Sequence, residues 1–130
     1  MSNQTPELIE DLREGILWVT FNRPEARNAL TFAMYERLAA ICATMPTDGS
    51  VRAMVMSGAG GKAFAAGTDM TQFRAFETAQ DALDYEGRID AVLEAVERCP
   101  IPTIAAINGA CTGGGGSIAA ACDIRIASAS

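Results

Sequence analysis

The sequence contains no histidine among its 130 residues, and this absence narrows the chemistry available to it. Ser-His-Asp and Cys-His nucleophilic schemes both need an imidazole base, so neither can be built from these residues. Histidine metal sites are excluded for the same reason. Any reaction that these residues support therefore rests on carboxylates, backbone dipoles or the substrate itself.

Paired cysteine spacing and long apolar runs are also missing. The cysteines at 42, 99, 111 and 122 follow no zinc or redox spacing, and their apolar neighbours predict buried free thiols. We find no apolar run long enough to span a bilayer and no signal-peptide pattern. From these features we expect a reducing, cytoplasmic setting.

The chain is short of positive charge. Ten basic against 16 acidic residues give a net charge of −6, which disfavours nucleic acid and anionic membrane as partners. With 49% hydrophobic and 20% charged residues, the composition predicts one globular domain over residues 1–130. The polar residues 1–10 are expected to be a loose end.

The most constrained stretch covers residues 101–128. Residues 101–107 are short, β-branched and uncharged, which predicts a buried strand. Four consecutive glycines follow at 113–116, then a short helix over 117–122 and a strand over 123–128. The N–H groups at the start of that helix have no partner within it, so they can bind a negative oxygen.

A second stretch has the same design. Residues 51–57 predict a strand, residues 58–61 form a glycine-rich loop, and Thr68 or Asp69 can cap a helix over 69–76. One backbone N–H group from each of the two loops could converge on a single oxygen. Such a pair would polarise a carbonyl group, which is the physical requirement of an oxyanion hole.

The remaining chain completes an α/β pattern. Residues 15–21 predict a strand, and Thr31 can cap a helix that runs to about Thr44 with apolar side chains on one face. Residues 78–81 resemble a capping box for a longer helix that ends before Pro100. The order of strands and helices indicates one α/β domain.

Three motifs together resemble the crotonase (enoyl-CoA hydratase/isomerase) superfamily. They are NRPEARNAL at 22–30, FAAGTDM at 64–70, and Asn108-Gly109 followed by glycines 113–116 and Cys122-Asp123. The resemblance covers about residues 17–128. It implies a spiral of ββα units, the Clp protease/crotonase fold, that stops before the C-terminal helices. It also implies an oxyanion hole formed by the backbone N–H groups of Thr68 and Gly114.

The same resemblance implies the ligand and the assembly. The substrate is expected to be an acyl-CoA thioester, with coenzyme A as part of the substrate, no tightly bound cofactor and no metal. The family forms homo-oligomers, as trimers or dimers of trimers. The implied substrate-binding residues are Ala26, Arg27, Ala66, Asp69, Met70, Gly113 and Ser117.

Two of these positions have alternative interpretations. The Ala26-Arg27 turn, expected at the nucleotide end of coenzyme A, would otherwise be a plain connection between a strand and a helix. Asp69 is favoured as a helix cap over a catalytic acid.

Basic residues near the predicted site could attract the anionic coenzyme; they are Arg23, Arg27, Arg52 and Lys62.

Ser117 departs from the hydratase pattern, in which a glutamate occupies the corresponding position. A serine hydroxyl has no useful basicity at neutral pH, so it cannot replace a general base. A second family glutamate would lie beyond Ser130. The resemblance therefore implies a lyase or isomerase of fatty acid metabolism, while hydrolysis and decarboxylation stay open. The alternative is a non-catalytic acyl-CoA-binding or scaffold fragment in which Ser117 only caps a helix.

A dinucleotide-binding domain is a more distant interpretation. Residues 58–63 fit the G-x-G-x-x-A pattern after a predicted strand. That pattern should open directly into a helix. Here the chain leads to Gly67 instead, which disfavours a nucleotide site.

Overall fold

The computed structural model describes residues 6–69, 71 and 76–127, and its fold is α/β as predicted. The elements in chain order are β1 (Leu8–Arg13), β2 (Ile16–Phe21), a 3-10 turn (Pro24–Ala26), α1 (Phe32–Ala43), β3 (Ala53–Gly58), β4 (Ala63–Ala66), α2 (Ala79–Glu97), β5 (Thr103–Ile107), β6 (Ala110–Thr112), α3 (Gly114–Ala121) and β7 (Ile124–Ala127).

The strands form two sheets. The larger sheet has the order β1-β2-β3-β5-β7; β1 pairs antiparallel with β2, and the other neighbours pair in parallel. The short strands β4 and β6 form a second, parallel pair. The elements thus repeat as β1-β2-α1, β3-β4-α2 and β5-β6-α3. This repeat confirms the predicted spiral of ββα units, although no repeat is visible in the sequence.

Both long helices begin at the predicted caps. The Thr31 hydroxyl accepts a hydrogen bond from the Met34 N–H at 3.2 Å at the start of α1. At the start of α2, Thr78 and Asp81 form a reciprocal capping box. These side chains satisfy N–H groups that a helix cannot satisfy internally, so local sequence is enough to determine where each helix begins.

The core lies between α1 and the larger sheet. Helix α1 buries one face, which contains Met34, Tyr35, Leu38, Ile41 and Cys42. Strands β2 and β3 contribute side chains that are fully buried, as expected for strands covered by a helix. A T-shaped contact between Phe21 and Phe64 joins the two sheets, with ring centroids 5.2 Å apart.

Several sequence predictions need correction. Residues 8–10, expected to be loose, pair with β2 because their backbone groups complete the edge of the sheet. Strands β4 and β6 were not predicted; they contain three or four mostly small residues and lack a clear period. Helix α3 begins at Gly114 rather than at Ser117. The helix predicted over 69–76 falls largely outside the described residues.

Helix α2 is buried only towards its C-terminal end. Its buried side chains are Val92 and Val96, whereas Leu83 is 59% exposed. A side chain added at Gly87 would meet no atom within 4 Å, so this glycine does not mark a close approach. Within the described residues, no helix has the length and apolar character needed to cross a membrane.

Candidate active site

The loop after β4 is held by backbone hydrogen bonds on both sides of Thr68. The Gly67 N–H donates to the Thr112 carbonyl oxygen at 3.0 Å, and the Asp69 N–H donates to the Leu30 carbonyl oxygen at 2.9 Å. Gly67 has a φ of 90°, which glycine adopts without strain. The Thr68 N–H has no acceptor among residues 6–69, 71 and 76–127. One donor is thus left free between two anchored amides.

The start of α3 supplies a second set of free donors. Gly113, with φ 53° and ψ −124°, precedes the helix and provides no side-chain cap. The first hydrogen bond along the helix runs from the Ser117 N–H to the Gly113 carbonyl oxygen at 3.1 Å. The N–H groups of residues 114–116 therefore have no partner within α3. Their aligned dipoles favour a negative oxygen at this end.

The two glycine-rich loops touch each other through their backbones. A Cβ atom added at Gly113 would lie 3.3 Å from the Cα atom of Gly67. A Cβ atom added at Gly115 would overlap the Ala65 carbonyl oxygen. Only glycine allows α3 to approach β4 this closely, because it has no side chain. The glycines therefore bring the Thr68 loop and the helix start together.

The Tyr35 side chain of α1 joins both loops. Its hydroxyl group lies 2.8 Å from the Thr68 hydroxyl oxygen in a hydrogen bond, and the residue is only 2% exposed. A Cβ atom added at Gly114 would overlap the Tyr35 hydroxyl and lie 2.9 Å from the Thr68 hydroxyl oxygen. Burial raises the pKa of Tyr35 above its usual value, so the phenol stays protonated at neutral pH.

A cleft of about 630 Å³ opens at this junction. Its floor contains the Thr68 loop and the start of α3, and one side is formed by α2. The lining residues are Tyr35, Ala66, Gly67, Thr68, Tyr85, Glu86, Ile89, Asp90, Gly113, Gly114 and Ser117. Free N–H donors and carboxylate side chains thus face the same space.

Most of the predicted site residues meet in this cleft. Ala66, Thr68, Gly113, Gly114 and Ser117 all line it, although the two loops are separated by more than forty residues. Thr68 and Gly114, the two residues singled out from the sequence as donors, therefore line one cavity. The predicted substrate contact at position 70 lies on Met70, which is outside the described residues.

Asp69 is next to the cleft but its carboxylate is occupied. One oxygen accepts hydrogen bonds from the Thr71 hydroxyl at 2.7 Å and the Thr71 N–H at 3.0 Å. The other oxygen pairs with the Arg23 guanidinium at 3.1 Å. Hydrogen bonds from Thr71, with a smaller contribution from Arg23, lower the pKa of the Asp69 carboxyl. The hydrogen bond from the N–H group two residues on favours the capping interpretation of Asp69 over an acid catalyst.

The Ala26-Arg27 turn is adjacent to the cleft without lining it. The Arg27 carbonyl oxygen accepts a hydrogen bond from the Ala66 N–H at 3.0 Å. Arg27 has a φ of 53°, and its side chain is exposed. Buried Asn28 holds the turn in place by donating to the Ala63 carbonyl oxygen at 2.9 Å. The turn therefore supports the end of β4.

Of the other basic candidates, Arg23 and Arg52 are committed elsewhere. Arg23 pairs with Asp69 and Glu7, and Arg52 donates to the Glu14 carbonyl oxygen at 2.8 Å. Lys62 is exposed beside the first glycine-rich loop. Lys62 and Arg27 are thus the cations left to meet an anionic ligand among the four candidates.

Ser117 is not a helix cap, because it is the fourth residue of α3. Its hydroxyl donates back to the Gly113 carbonyl oxygen at 3.3 Å, one turn earlier. This correction follows from the early start of the helix. Ser117 nevertheless lines the cleft, and its only polar side-chain group is the hydroxyl.

The sequence interpretation missed four polar residues of the cleft: Tyr35, Tyr85, Glu86 and Asp90. Tyr35 sits on the buried face of α1, where an aromatic residue is ordinarily a core residue. Glu86 and Asp90 are four residues apart on α2, which places them on one helical face. That spacing was a detectable signal, although the same pattern is common on solvated surfaces.

A second, more apolar cleft of about 420 Å³ lies between α1 and α2. It shares Tyr35, Tyr85 and Ile89 with the first cleft. Its other apolar lining residues include Phe32, Ala39 and Val92. The two clefts are therefore neighbours, one with polar groups and one with a mainly hydrocarbon surface.

The described part of the chain offers no alternative metal or nucleotide site. It holds no group of three or more acidic or cysteine side chains arranged to bind a metal ion. The loop at 58–63 leads into strand β4 and not into a helix, so the dinucleotide interpretation is wrong.

The fold and the cleft define a class: an α/β protein of repeated ββα units in which two glycine-rich loops present free N–H groups. Comparison with known proteins agrees with this class, because the family model for enoyl-CoA hydratase/isomerase matches residues 11–130. The chain belongs to the enoyl-CoA hydratase/isomerase family and has the crotonase fold.

Its relatives include both isomerases and hydratases. The mitochondrial Delta(3,5)-Delta(2,4)-dienoyl-CoA isomerase of Mus musculus is 36% identical over 95% of this chain and 44% of its own length. The short-chain-enoyl-CoA hydratase of Clostridium acetobutylicum is 38% identical over 89% of this chain and 44% of its own length. The chain thus spans less than half the length of these relatives.

Solved structures give the same result. An enoyl-CoA hydratase from Mycobacterium smegmatis superposes with a TM-score of 0.87 and 38% identity, covering 95% of this chain and 48% of that protein. An enoyl-CoA hydratase/carnithine racemase from Magnetospirillum magneticum gives a TM-score of 0.86 at 38% identity. The crotonase fold predicted from the three motifs is confirmed.

Proposed function

We propose that the chain binds an acyl-CoA thioester and polarises its carbonyl oxygen with the backbone N–H groups of Thr68 and Gly114. The single observation that carries this proposal is that both loops line one cleft while neither N–H group has an acceptor in the described chain. N–H groups that lack a protein acceptor and belong to residues lining an open cleft are available to a ligand oxygen.

The proposed chemistry follows from this electrostatic arrangement. A thioester carbonyl oxygen gains negative charge when the neighbouring carbon loses a proton and an enolate forms. Donors aimed at that oxygen stabilise the enolate more than the ground state, so they lower the barrier. The relatives named as hydratases and isomerases support a reaction of this enoyl-CoA class for the whole protein.

The neighbouring apolar cleft is a suitable place for the acyl chain. It adjoins the polar cleft through Tyr35, Tyr85 and Ile89, and its other lining is largely hydrocarbon. A chain bound there would have its thioester end near Thr68 and Gly114. Exposed Lys62 and Arg27 are the cations proposed to attract the phosphates of coenzyme A, which is a substrate component and not a bound cofactor.

Ser117 favours a second candidate, acyl-CoA binding without turnover. It occupies the position of a hydratase glutamate in the family pattern, and its hydroxyl is engaged with the Gly113 carbonyl oxygen. A serine cannot act as a general base at neutral pH. The two candidates differ in one observable, which is product formation from a bound thioester. Homo-oligomerisation and a cytoplasmic location remain predictions for both.

The test is isotope-edited infrared spectroscopy of an enoyl-CoA whose thioester carbonyl carries carbon-13. We expect the carbonyl stretch to move to lower wavenumber on binding, because the two donors polarise the bond. A bound thioester with the same frequency as in water would refute the oxyanion hole. Polarised carbonyl together with product formation supports the enzyme; polarised carbonyl without product supports the binding-only candidate.

A matched pair of variants isolates the donor itself. In a Tyr35→Phe background, Gly114→Ala keeps the N–H group and Gly114→Pro removes it, while both add a side chain at the same point. We expect the frequency shift to persist in the alanine variant and to shrink in the proline variant. Any turnover should fall about 100-fold or more between the two, as for loss of one oxyanion donor.

A further inference from the structure

The cleft contains two carboxylates that the proposed function does not yet use. Glu86 and Asp90 lie on α2 and face the same space as Thr68, Gly114 and Ser117. Neither carboxylate makes a hydrogen bond or an ion pair with another residue in the ranges that the structure describes. They contrast with Asp69, whose oxygens are both engaged.

The other groups of the cleft cannot accept a proton at neutral pH. The chain has no histidine, and Ser117 offers only a hydroxyl group. The Tyr35 phenol is buried and hydrogen-bonded to Thr68, and its raised pKa keeps it protonated at neutral pH. Among the lining residues, Glu86 and Asp90 are therefore the candidates for a general base.

Glu86 and Asp90 lie on parts of α2 that are anchored to the core to different extents. Asp90 lies two residues from Val92, the first of the two buried side chains that anchor the helix. Glu86 lies one turn nearer the exposed end, beside Gly87, whose surroundings are open. A catalytic group works best on a rigid segment, because a misplaced base loses proton-transfer efficiency. This argument favours Asp90.

We propose that Asp90 is the proton acceptor for the carbon next to the thioester carbonyl, an assignment that rests on the proposed function. The C–H bond breaks, its electron pair moves into the enolate, and the negative oxygen is held by the Thr68 and Gly114 N–H groups. The proton resides on the Asp90 carboxyl group. Return of that proton to carbon restores the carboxylate, so the step balances without another reactant.

This assignment also explains how Ser117 is tolerated. The base is supplied by α2, so α3 needs to supply only its N–H groups.

The experiment measures exchange of the α-hydrogens of a saturated acyl-CoA, such as butyryl-CoA, with solvent deuterium by NMR. Binding of the same thioester is measured separately by calorimetry. The variants are Asp90→Asn, Asp90→Glu, the competing candidate Glu86→Gln and, as the charge-matched control on α2 outside the cleft, Glu97→Gln. Positions 86, 90 and 97 are all exposed, and circular dichroism melts verify that each variant folds.

We expect exchange in the Asp90→Asn variant to fall about 100-fold or more while its affinity stays near that of the wild type. Asp90→Glu should recover part of the exchange, Glu86→Gln should lose less exchange than Asp90→Asn, and the control Glu97→Gln should exchange like the wild type. An Asp90→Asn variant that exchanges like the wild type overturns the assignment, as does a larger loss in Glu86→Gln. If the wild type binds the thioester without exchange, the Asp90 assignment is overturned and the thioester site is not. If the wild type does not bind the thioester, the proposed function itself is overturned.

Discussion

The contact among Tyr35, Thr68 and Gly114 makes a prediction about stability that does not depend on any ligand. Gly114→Ala adds one methyl group where the Tyr35 hydroxyl and the Thr68 hydroxyl oxygen already meet. The Tyr35 ring is 2% exposed and cannot swing into solvent to relieve the overlap. We expect the free energy of unfolding to fall by about 1–3 kcal/mol, the usual cost of overpacking.

A second change should reverse much of that loss. Tyr35→Phe removes the overlapping oxygen and leaves the ring carbon Cζ at 3.3 Å from the added methyl position. By itself this change loses the hydrogen bond with Thr68, a cost of about 0.5–1.5 kcal/mol. In the double variant, Gly114→Ala should therefore cost at least about 1 kcal/mol less than it does alone.

Urea unfolding measures these energies through the fluorescence of Trp18, the single tryptophan of the chain. Gly116→Ala is the matched control from the same glycine run, since its added Cβ would lie 3.9 Å from the nearest atom. It should stabilise the protein by about 0.5–1 kcal/mol, because alanine loses less entropy in a helix. Strictly additive effects of Tyr35→Phe and Gly114→Ala would refute the contact.

Two further predictions concern the core. In Gly115→Ala the new Cβ would overlap the Ala65 carbonyl oxygen. This variant should lower the free energy of unfolding by about 3 kcal/mol in the same urea assay. Equal stability of Gly115→Ala and Gly116→Ala would contradict the close approach of α3 to β4. Burial, with a smaller contribution from Cys99, raises the pKa of Cys42 to about 12. The unfolded thiol loses its proton near pH 9 while the folded thiol keeps it, so the stability from Cys42 is full below pH 9 and declines towards pH 12. The urea midpoint should therefore fall more steeply with pH in the wild type than in Cys42→Ala, and parallel profiles would count against a buried thiol.

Local sequence was enough to predict the features that depend on neighbouring residues. Thr31 and Thr78 cap α1 and α2 as expected, because a cap is a contact between residues only three apart. The glycine runs near 60 and 113 indicated two loops with candidate N–H donors, because this signal also lies within a few consecutive residues. The three family motifs extended this local information to a fold, which the family match and the solved structures confirm.

Features without a local signal were missed or misplaced. Half of the residues of strand β1 are charged, and the strand forms because β2 offers an edge with unpaired backbone groups. Strands β4 and β6 pair with each other although residues 63–66 and 110–112 are far apart in the chain. Helix α3 starts at Gly114 because close packing on β4 compensates for three glycines that disfavour a helix on their own.

The sequence by itself determined the fold class, the helix caps and the two loops that supply the candidate N–H donors, since each depends on a short stretch of chain. The tertiary structure decided which side chains share the cleft with those donors. Tyr35 is 33 residues from Thr68, and Asp90 is on a helix between the two glycine-rich loops. Contacts at such separations depend on how the sheet and helices pack, so neither Tyr35 nor Asp90 was singled out from the sequence.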